Sequence, residues 1–329
     1  MSTKISLQQR TSDQALQEWY TTTLKPDLEK TEQQRVRTLG WVYLAFAVAG
    51  LALLPILFLD ELQGWLELAA KGGFIAGAAT GGLLLQRLRN QLKQSLVTNV
   101  CTYLGMTHTA KPDHYPLDSF VRAGILPANY QRARLEDKIT GCHDGVKFSL
   151  CETRLSTTRI KDQNQGTTRT HTLFQGILLQ FSFNKSFTGH TRILAKTGRI
   201  SSLLSLEQIE PSQRGEPVFL EDPRFNELFT VYSTDQIEAR YLLTPGFMER
   251  LLELDELLGD TRRGKGSNLY AGFIGGNLLI AIRTTQNRFE GGSLFENVVQ
   301  FTRVEDLLKE IRLIHATIET LNLENTSQV

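Results

Sequence analysis

Six of the cysteine and histidine side chains could act as zinc ligands. They are Cys101, His108, His114, Cys142, His143 and Cys151. Zinc sites place such ligands at short fixed spacings, as in CxxC or HxxxH, and neither spacing occurs in this chain. Cys142 and His143 are neighbours, so on a strand they point to opposite faces. The sequence therefore predicts no metal site and no cofactor.

Cys151 is the local candidate for a nucleophile. His143 lies across an Asp144-Gly145 turn from it and could act as its base. A catalytic cysteine also needs a group that orients the base, and the sequence offers none nearby. We therefore predict no catalytic residue at this position.

Two pairs of acidic residues could also carry acid–base chemistry. Glu221-Asp222 and Asp235 with Glu238 both fall at predicted helix starts. Carboxylates are expected there because they interact favourably with the helix dipole, so capping is the better interpretation. A membrane-associated hydrolase that uses Cys151 or an acid from this region is the alternative function.

The glycine groups do not form a nucleotide-binding loop. Gly72-Gly73 and Gly81-Gly82 lie in an apolar segment, and Gly264-Lys265-Gly266 lacks both the spacing and the preceding strand of a phosphate loop. No aromatic RNA-recognition motif lies within a basic strand. We predict no nucleic-acid partner.

Charge is unevenly distributed, although the net charge of the chain is only +1. Residues 145–200 carry nine Lys or Arg against two acids, and residues 201–260 carry thirteen acids against four arginines. This pattern predicts a basic sheet beside an acidic helical layer, and basic residues near an anionic leaflet attract it. The residues predicted to contact a membrane surface or a partner are Lys147, Arg154, Arg192, Lys196 and Arg199. The other interpretation is a solvated sheet surface that its acidic neighbour balances.

The elements that position these residues start with an apolar region, residues 38–86. Thr38 to Leu59 is a run of 22 residues without a charge, which is enough for a helix to cross a bilayer core of about 30 Å. Gly72 to Gln86 has only 15 uncharged residues. It spans the bilayer if it extends back through Trp65, with Glu67 and Lys71 at the headgroups. The sequence predicts a transmembrane helical hairpin.

Basic residues near the ends of the two spans predict the orientation. Lys25, Lys30, Arg35 and Arg37 precede the first span, and Arg87, Arg89 and Lys93 follow the second, whereas the connecting loop carries Lys71 alone. Basic residues mark cytoplasmic loops, so both termini and the main domain should be cytoplasmic. The cysteines form no disulfide framework, which fits a reducing compartment.

Small residues recur every four positions in both spans. Gly73, Gly77 and Gly81 form one stripe, and Ala45 and Ala49 form another. Such stripes let helix backbones approach closely in a membrane. We predict that the two stripes pack against each other within one hairpin; self-association between protomers is the other possibility.

The remaining chain predicts an α+β protein with four regions. These are an N-terminal juxtamembrane helix (residues 1–37), the hairpin (38–86), a stalk helix and irregular linker (87–135) and an α+β domain (136–325). The domain should contain an antiparallel meander of four strands with a polar tip at Thr157 to Thr170, then a helical layer. It should end in a long amphipathic helix whose apolar residues are Val304, Leu307, Ile311, Ile314, Ile318 and Leu321.

Several phrases of the chain resemble one bacterial membrane family, domain-of-unknown-function family 3137. They are AGILPANY (123–130), LEDKITG (135–141), HTLFQG (171–176), FSFNKSFTG (181–189), LEDPRF (220–225), FTVYSTDQIEARYLLTP (229–245) and IETLNL (318–323). The resemblance covers residues 12–325 and implies a two-pass protein of the bacterial inner membrane with no established activity.

The resemblance also bears on partners. Members accompany LemA-like membrane proteins in genomes, which implies a LemA-like protein or self-association as a partner besides membrane lipid. The family supplies no catalytic residues. The expected function is therefore a non-enzymatic, membrane-tethered interaction or scaffold module that faces the cytoplasm.

Overall fold

The computed structural model describes residues 17–58, 64–162, 167–182, 188–196, 214–259, 267–285, 299 and 301–326. The chain divides into two compact units. The first unit comprises Met1–Leu104 and Phe289–Glu305, and the second comprises Gly105–Arg288 and Asp306–Val329. The architecture is α+β, as predicted.

Two long helices form most of the first unit. A π-helical turn at Tyr20–Leu24 leads directly into α1 (Lys25–Phe58), and α2 covers Gly64–Tyr103. Pro26 directly follows this π-helical turn, inside a helical run that is already under way at residue 17, and the wider turn accommodates the proline ring, so the helix is not divided. At the far ends of the pair, the rings of Trp19 and Tyr103 stack 4.1 Å apart.

The second unit is organised around one antiparallel sheet of nine strands. Its spatial order is β1-β2-β3-β4-β9-β8-β5-β7-β6. The strands are β1 (Thr107–Thr109), β2 (Arg132–His143), β3 (Val146–Asp162), β4 (Thr167–Ser182), β5 (Thr191–Ala195), β6 (Glu216–Val218), β7 (Phe229–Ser233), β8 (Leu269–Ile274) and β9 (Asn277–Arg283). Five helices accompany them: α3 (Leu117–Arg122), α4 (Pro223–Leu228), α5 (Gln236–Leu242), α6 (Pro245–Leu258) and α7 (Phe301–Thr326), of which residues 306–326 belong to this unit.

Two tight hairpins lie in the sheet, and the first contains the Asp144-Gly145 turn expected from the sequence. Asp144 and Gly145 join β2 to β3 with φ angles of 47° and 79°, and Gly275 and Gly276 join β8 to β9 with φ angles of 54° and 75°. A two-residue turn with positive φ at both positions matches the twist of the flanking strands. Local turn chemistry therefore fixes the register of these two hairpins.

The predicted polar tip at Thr157 to Thr170 is wrong. Strand β3 continues to Asp162 and β4 begins at Thr167, with Thr157 paired to His171 and Thr158 to Thr170. Threonine is β-branched and packs well on a pleated surface, so its polarity does not interrupt the ladder. The two strands of this hairpin are consequently 17 and 16 residues long.

The predicted four-strand meander is also wrong, because β4 pairs with β9 and not with β5. The β8–β9 hairpin lies between β4 and β5 in the sheet. Leu278 to Ile282 of β9 are all buried, as are Ile177 to Leu179 of β4. A strand that is apolar along its whole length is buried on both faces of the sheet. Such a strand pairs with other strands that are also buried on both faces. Burial on both faces thus favours the β4–β9 pair at the centre of the sheet.

Residues 106–135, predicted to be an irregular connection, contribute strand β1 and part of the core. Phe120 and Ile125 are fully buried, and the hydroxyl of Tyr115 donates to the carbonyl oxygen of Leu178 at 3.2 Å. These residues cluster with Cys151 and Leu178, so the segment covers one face of the sheet. The short helix α3 also lies within this segment.

The other face of the sheet carries α6 and the C-terminal part of α7. The rings of Phe247 in α6 and Phe273 in β8 lie 5.6 Å apart. Of the predicted apolar positions of α7, Leu307, Ile311, Ile314 and Ile318 in this unit are buried. The long amphipathic C-terminal helix is confirmed over its described side chains.

Candidate functional site

The basic residues predicted to meet a membrane or a partner have different environments. Lys147 and Arg154 are exposed on β3, and Lys196 is exposed after β5, where its ammonium donates to the carbonyl oxygen of Asn226. Arg199 lies outside the described residues. Contact of the exposed residues with a membrane or a partner remains a prediction.

Arg192, predicted as a surface residue, is only 2% exposed. Its Nη2 donates to the carbonyl oxygen of Arg214, and its guanidinium lies 5.8 Å from the ring centroid of Tyr232. Burial lowers the pKa of Arg192, which the nearby Tyr232 raises in part. Its Nε and Nη1 make no hydrogen bond to the part of the chain that the structure describes. A side chain in this position offers no surface to a bilayer.

Arg154 belongs to a groove of about 730 Å³ that crosses β2, β3 and β4 near the start of β2. Among the described residues its lining is basic and hydroxyl-rich and contains no acidic residue: Gln131, Arg132, Ala133, Arg134, Arg154, Ser156, Thr170 and Thr172. We name this the arginine groove. The register places Arg132 opposite Ser156 and Arg134 opposite Arg154.

The arginine groove continues into a smaller cavity of about 150 Å³. Arg134 and Arg154 line both, and Glu136, Glu152, Gln175 and Thr284 are among the residues that line the cavity alone. Glu136 accepts from Arg134 at 2.8 Å and directly opposes Glu152, which is 9% exposed. Two residues along either strand from the Arg134–Arg154 pair, the side-chain charge therefore changes from positive to negative.

Arg132 and Arg134 were not predicted as site residues. They precede Glu136, at which the domain was predicted to begin, and so fell in a segment read as a linker. The available signal was their spacing, because residues two apart on a strand point to the same face. Pairing with β3, which presents Arg154 on that face, depends on long-range register and is not visible in the sequence.

The candidate nucleophile Cys151 is fully buried. Burial raises the pKa of its thiol to about 12, and its Sγ lies 3.5 Å from the carbonyl oxygens of Glu136 and Glu152. A thiol that is neutral at physiological pH and inaccessible is a poor nucleophile. The geometry gives the hydrolase alternative no support through this residue.

One residue of each acidic pair caps a helix, as predicted. Asp222 accepts from the N–H groups of Arg224 and Phe225 at the start of α4, and Asp235 caps α5 in the same way. Glu238 accepts from the backbone N–H groups of Thr188 and Gly189 at 3.0 and 2.6 Å. Asp222, Asp235 and Glu238 thus each accept hydrogen bonds from backbone N–H groups.

His143 has a set of close neighbours that sequence spacing did not indicate. Its Nε2 lies 2.8 Å from Glu319 Oε1 and 3.7 Å from Asp144 Oδ2, and its ring stacks on that of His315 at 4.1 Å. The three ligand-type atoms lie within 4.8 Å of one another. Burial, and secondarily His143, lowers the pKa of His315 to about 4. The hydrogen bond to Glu319 joins the β2–β3 hairpin to α7.

The small-residue stripes of the first unit face each other. A Cβ atom at Gly77 would lie 2.9 Å from both Ala45 O and Ala49 Cβ, and one at Gly73 would lie 3.3 Å from Ala52 Cβ. At Gly81 the nearest atoms are the ring carbons of Phe46, at 2.9 Å. Backbone approach this close needs glycine on α2.

The outer surface of this helix pair is apolar. Of the side chains that the structure describes between residues 36 and 83, thirteen large hydrophobic ones are exposed: Val36, Trp41, Tyr43, Leu44, Phe46, Val48, Leu51, Leu54, Trp65, Leu68, Phe74, Ile75 and Leu83. Within the described residues, one helical segment, Glu67–Leu88, is long and apolar enough to cross a membrane. The predicted first span ends at Leu59, which lies outside those residues.

Residues 172–323 match the sequence model of the family described as "Protein of unknown function (DUF3137)". This match supports the family part of the resemblance over that region. No curated protein matches the chain. Among solved structures, the mycobacterial trehalose monomycolate transport factor A, TtfA, aligns with 10% sequence identity and a TM-score of 0.35, over 70% of this chain and 93% of that protein.

Proposed function

We propose that this chain is a two-pass membrane protein of the bacterial inner membrane. In this proposal α1 and α2 form the transmembrane hairpin, and the sheet unit works at the membrane surface as a non-enzymatic interaction or scaffold module. Both termini and the sheet unit face the cytoplasm. The uncharged length of Thr38 to Leu59 and the match of Glu67–Leu88 to a spanning helix support two passes.

The observation that carries the proposal is the apolar outer surface of the helix pair. Soluble monomers rarely expose contiguous apolar patches larger than a few hundred Å². Here the side chains of Trp41, Leu51 and Ile75 are 64%, 65% and 65% exposed. They surround the seam of the helix pair, which is the close contact of Gly73 and Gly77 with the alanines of α1. In lipid such a surface is solvated by acyl chains, and close packing of small residues drives the association.

The orientation is inferred from charge. Basic residues flank the helix pair at its chain ends, while the connection carries mainly acids. This asymmetry favours a cytoplasmic sheet unit. Membrane lipid is then one partner of the basic surface, and a LemA-like membrane protein or a second copy of the chain is the candidate protein partner.

Alkaline carbonate extraction of membranes from bacteria that express the full chain tests the anchor. The protein should stay in the membrane pellet, because only disruption of the bilayer removes a spanning helix. A matched variant with Leu44→Arg and Ile75→Arg changes two outward-facing positions without touching the seam, and we expect it to lose membrane retention. Release of the parent protein into the carbonate supernatant would contradict the proposal.

Affinity purification of the detergent-extracted full chain tests the interaction role, with bound proteins identified by mass spectrometry. A stoichiometric partner that survives purification supports a module. The hydrolase alternative makes a different prediction, namely an activity that Cys151→Ala or an acid-to-amide change abolishes while the fold persists. Because Asp222 and Asp235 cap helices, each such variant needs a thermal-unfolding control.

A further inference from the structure

Three arginines converge in the arginine groove without a matching set of acids. Arg132 and Arg154 are exposed, and neither forms a salt bridge with the described residues. Arg134 is paired, since it donates to Glu136 at 2.8 Å. The groove lining therefore has two uncompensated positive charges.

The strand register adds a second observation, which concerns two of these arginines. Arg134 and Arg154 occupy directly opposed positions on β2 and β3. Side chains at such positions have Cβ atoms about 4.5–5.5 Å apart, and like charges there destabilise a sheet. An anion bound beside Arg154 would offset this repulsion. The pair thus points to a ligand that carries negative charge.

The other donors indicate which anion fits. Ser156, Thr170 and Thr172 supply hydroxyl groups along the same groove. Gln131 is held in place because its Oε1 accepts from the backbone N–H of Thr158 at 2.9 Å, which leaves its amide N–H groups to donate. A carboxylate offers about four lone-pair sites, whereas a single arginine carries five N–H donors. The groove thus offers more hydrogen-bond donors than a carboxylate can accept, and a phosphate group, which has more acceptor sites, matches them better.

We propose that the arginine groove binds a phosphate group. Arg154 and Arg132 are the principal ligands, because guanidinium forks match phosphate oxygens in a bidentate geometry, and the hydroxyl groups complete the contacts. At about 730 Å³ the groove also has room for the organic part of a phosphate ester. The acidic residues Glu136 and Glu152 in the adjoining cavity limit how far the anion can extend. This site does not depend on the proposed two-pass topology.

Calorimetric titration of the full chain in a neutral detergent tests the site with two probes, inorganic phosphate and glycerol 3-phosphate, and with glycerol as the phosphate-free control. We expect saturable binding of both phosphate probes and none of glycerol. Arg132→Gln and Arg154→Gln should each weaken binding by about tenfold or more. Lys147→Gln is the matched control, because it removes the same charge from β3 outside the groove. It should change the affinity less than about twofold.

Thermal unfolding provides a second readout that a general charge effect would not reproduce. Without ligand, Arg154→Gln should raise the Tm by about 1–3 °C, since it relieves the like-charge pair with Arg134. Phosphate at a concentration that saturates the parent should raise the Tm of the parent and of Lys147→Gln more than that of Arg154→Gln.

Hydrogen exchange of the full chain in nanodiscs distinguishes the two sources of phosphate. Protection at residues 131–134 and 154–156 in phosphatidylglycerol discs, relative to phosphatidylcholine discs, identifies a lipid headgroup. Equal exchange in both discs, together with binding of glycerol 3-phosphate, identifies a soluble phosphate ester. Equal weakening by Lys147→Gln and Arg154→Gln would overturn the proposal. So would the absence of both probe binding and lipid-dependent protection.

Discussion

Replacement of Gly77 by alanine is the sharpest test of how the helix pair is held together. Alanine normally stabilises a helix interior relative to glycine by about 0.5–1 kcal/mol. At Gly77 the added Cβ would lie 2.9 Å from Ala45 O and Ala49 Cβ and 3.2 Å from Ala49 Cα. Two of these three atoms are backbone, so no side-chain rotation relieves the overlap. We expect the steric cost to exceed the gain in helix propensity.

The size of the effect follows from the separation that the new atom requires. Carbon atoms pack best about 3.5–4.0 Å apart, so the helices must move apart by more than about 0.5 Å at this crossing. A gap of 0.5–1 Å forfeits about a quarter to a half of the dispersion energy of the contacts that it opens. Overpacking of this kind costs about 1–3 kcal/mol. The net change for Gly77→Ala should therefore be destabilising by about 1–2 kcal/mol.

Gly82 provides the matched control, because a Cβ atom there meets nothing within 4 Å. Gly82→Ala should leave the free energy of unfolding unchanged or raise it, so the two alanine variants should differ in sign. Thermal unfolding of the full chain in detergent measures both. Adding Ala49→Gly to Gly77→Ala should restore part of the loss, because it removes one of the opposing atoms. Equal stabilisation by Gly77→Ala and Gly82→Ala would refute the packing of α1 on α2 at this seam.

Two further predictions concern buried titratable groups of the described chain. His315 has a folded pKa of about 4, below its ordinary value of 6.5, so the unfolded chain takes up the proton first and stability is lost as the pH falls from about 6.5 to about 4. The loss is on the order of 3 kcal/mol, and His315→Phe, which keeps a ring against His143, should flatten this part of the pH–stability curve; an unchanged curve would contradict burial of the imidazole. Cys142 is exposed whereas Cys101 and Cys151 are buried with thiol pKa values raised to about 12, so a maleimide at pH 7 should modify Cys142 alone in the folded protein, and mass spectrometry that finds Cys151 modified as fast would contradict the core assignment.

The features that could be predicted from the sequence are those whose cause is local. Asp144-Gly145 and Gly275-Gly276 define hairpins because few other residue pairs adopt positive φ twice in succession. Asp235 caps a helix for an equally local reason. The position of the β8–β9 hairpin between β4 and β5 has no local cause, since it depends on which strands match in burial across more than a hundred residues.

The candidate site also contains residues whose environment is set by long-range contacts. Arg154 was assigned to a contact surface from the basic charge of its segment, and it is exposed. Arg192 was assigned to the same surface from its charge alone. It shares a strand face with Leu194, and its cross-strand partner Gly272 lies beneath Ala123, so the covering segment buries it. Net charge per segment could not detect that cover, nor could it bring Arg132 and Arg134 beside Arg154.

The membrane topology is tested most directly by thiol accessibility, because the chain carries a natural reporter in the exposed Cys142. A second reporter, Gln63→Cys, lies in the connection between the two helices. In bacterial cells stripped of the outer membrane, a membrane-impermeant maleimide should label Gln63→Cys and leave Cys142 unlabelled until detergent is added. Labelling of Cys142 in the intact cells, or protection of both positions from the outside, would contradict a two-pass anchor with a cytoplasmic sheet unit.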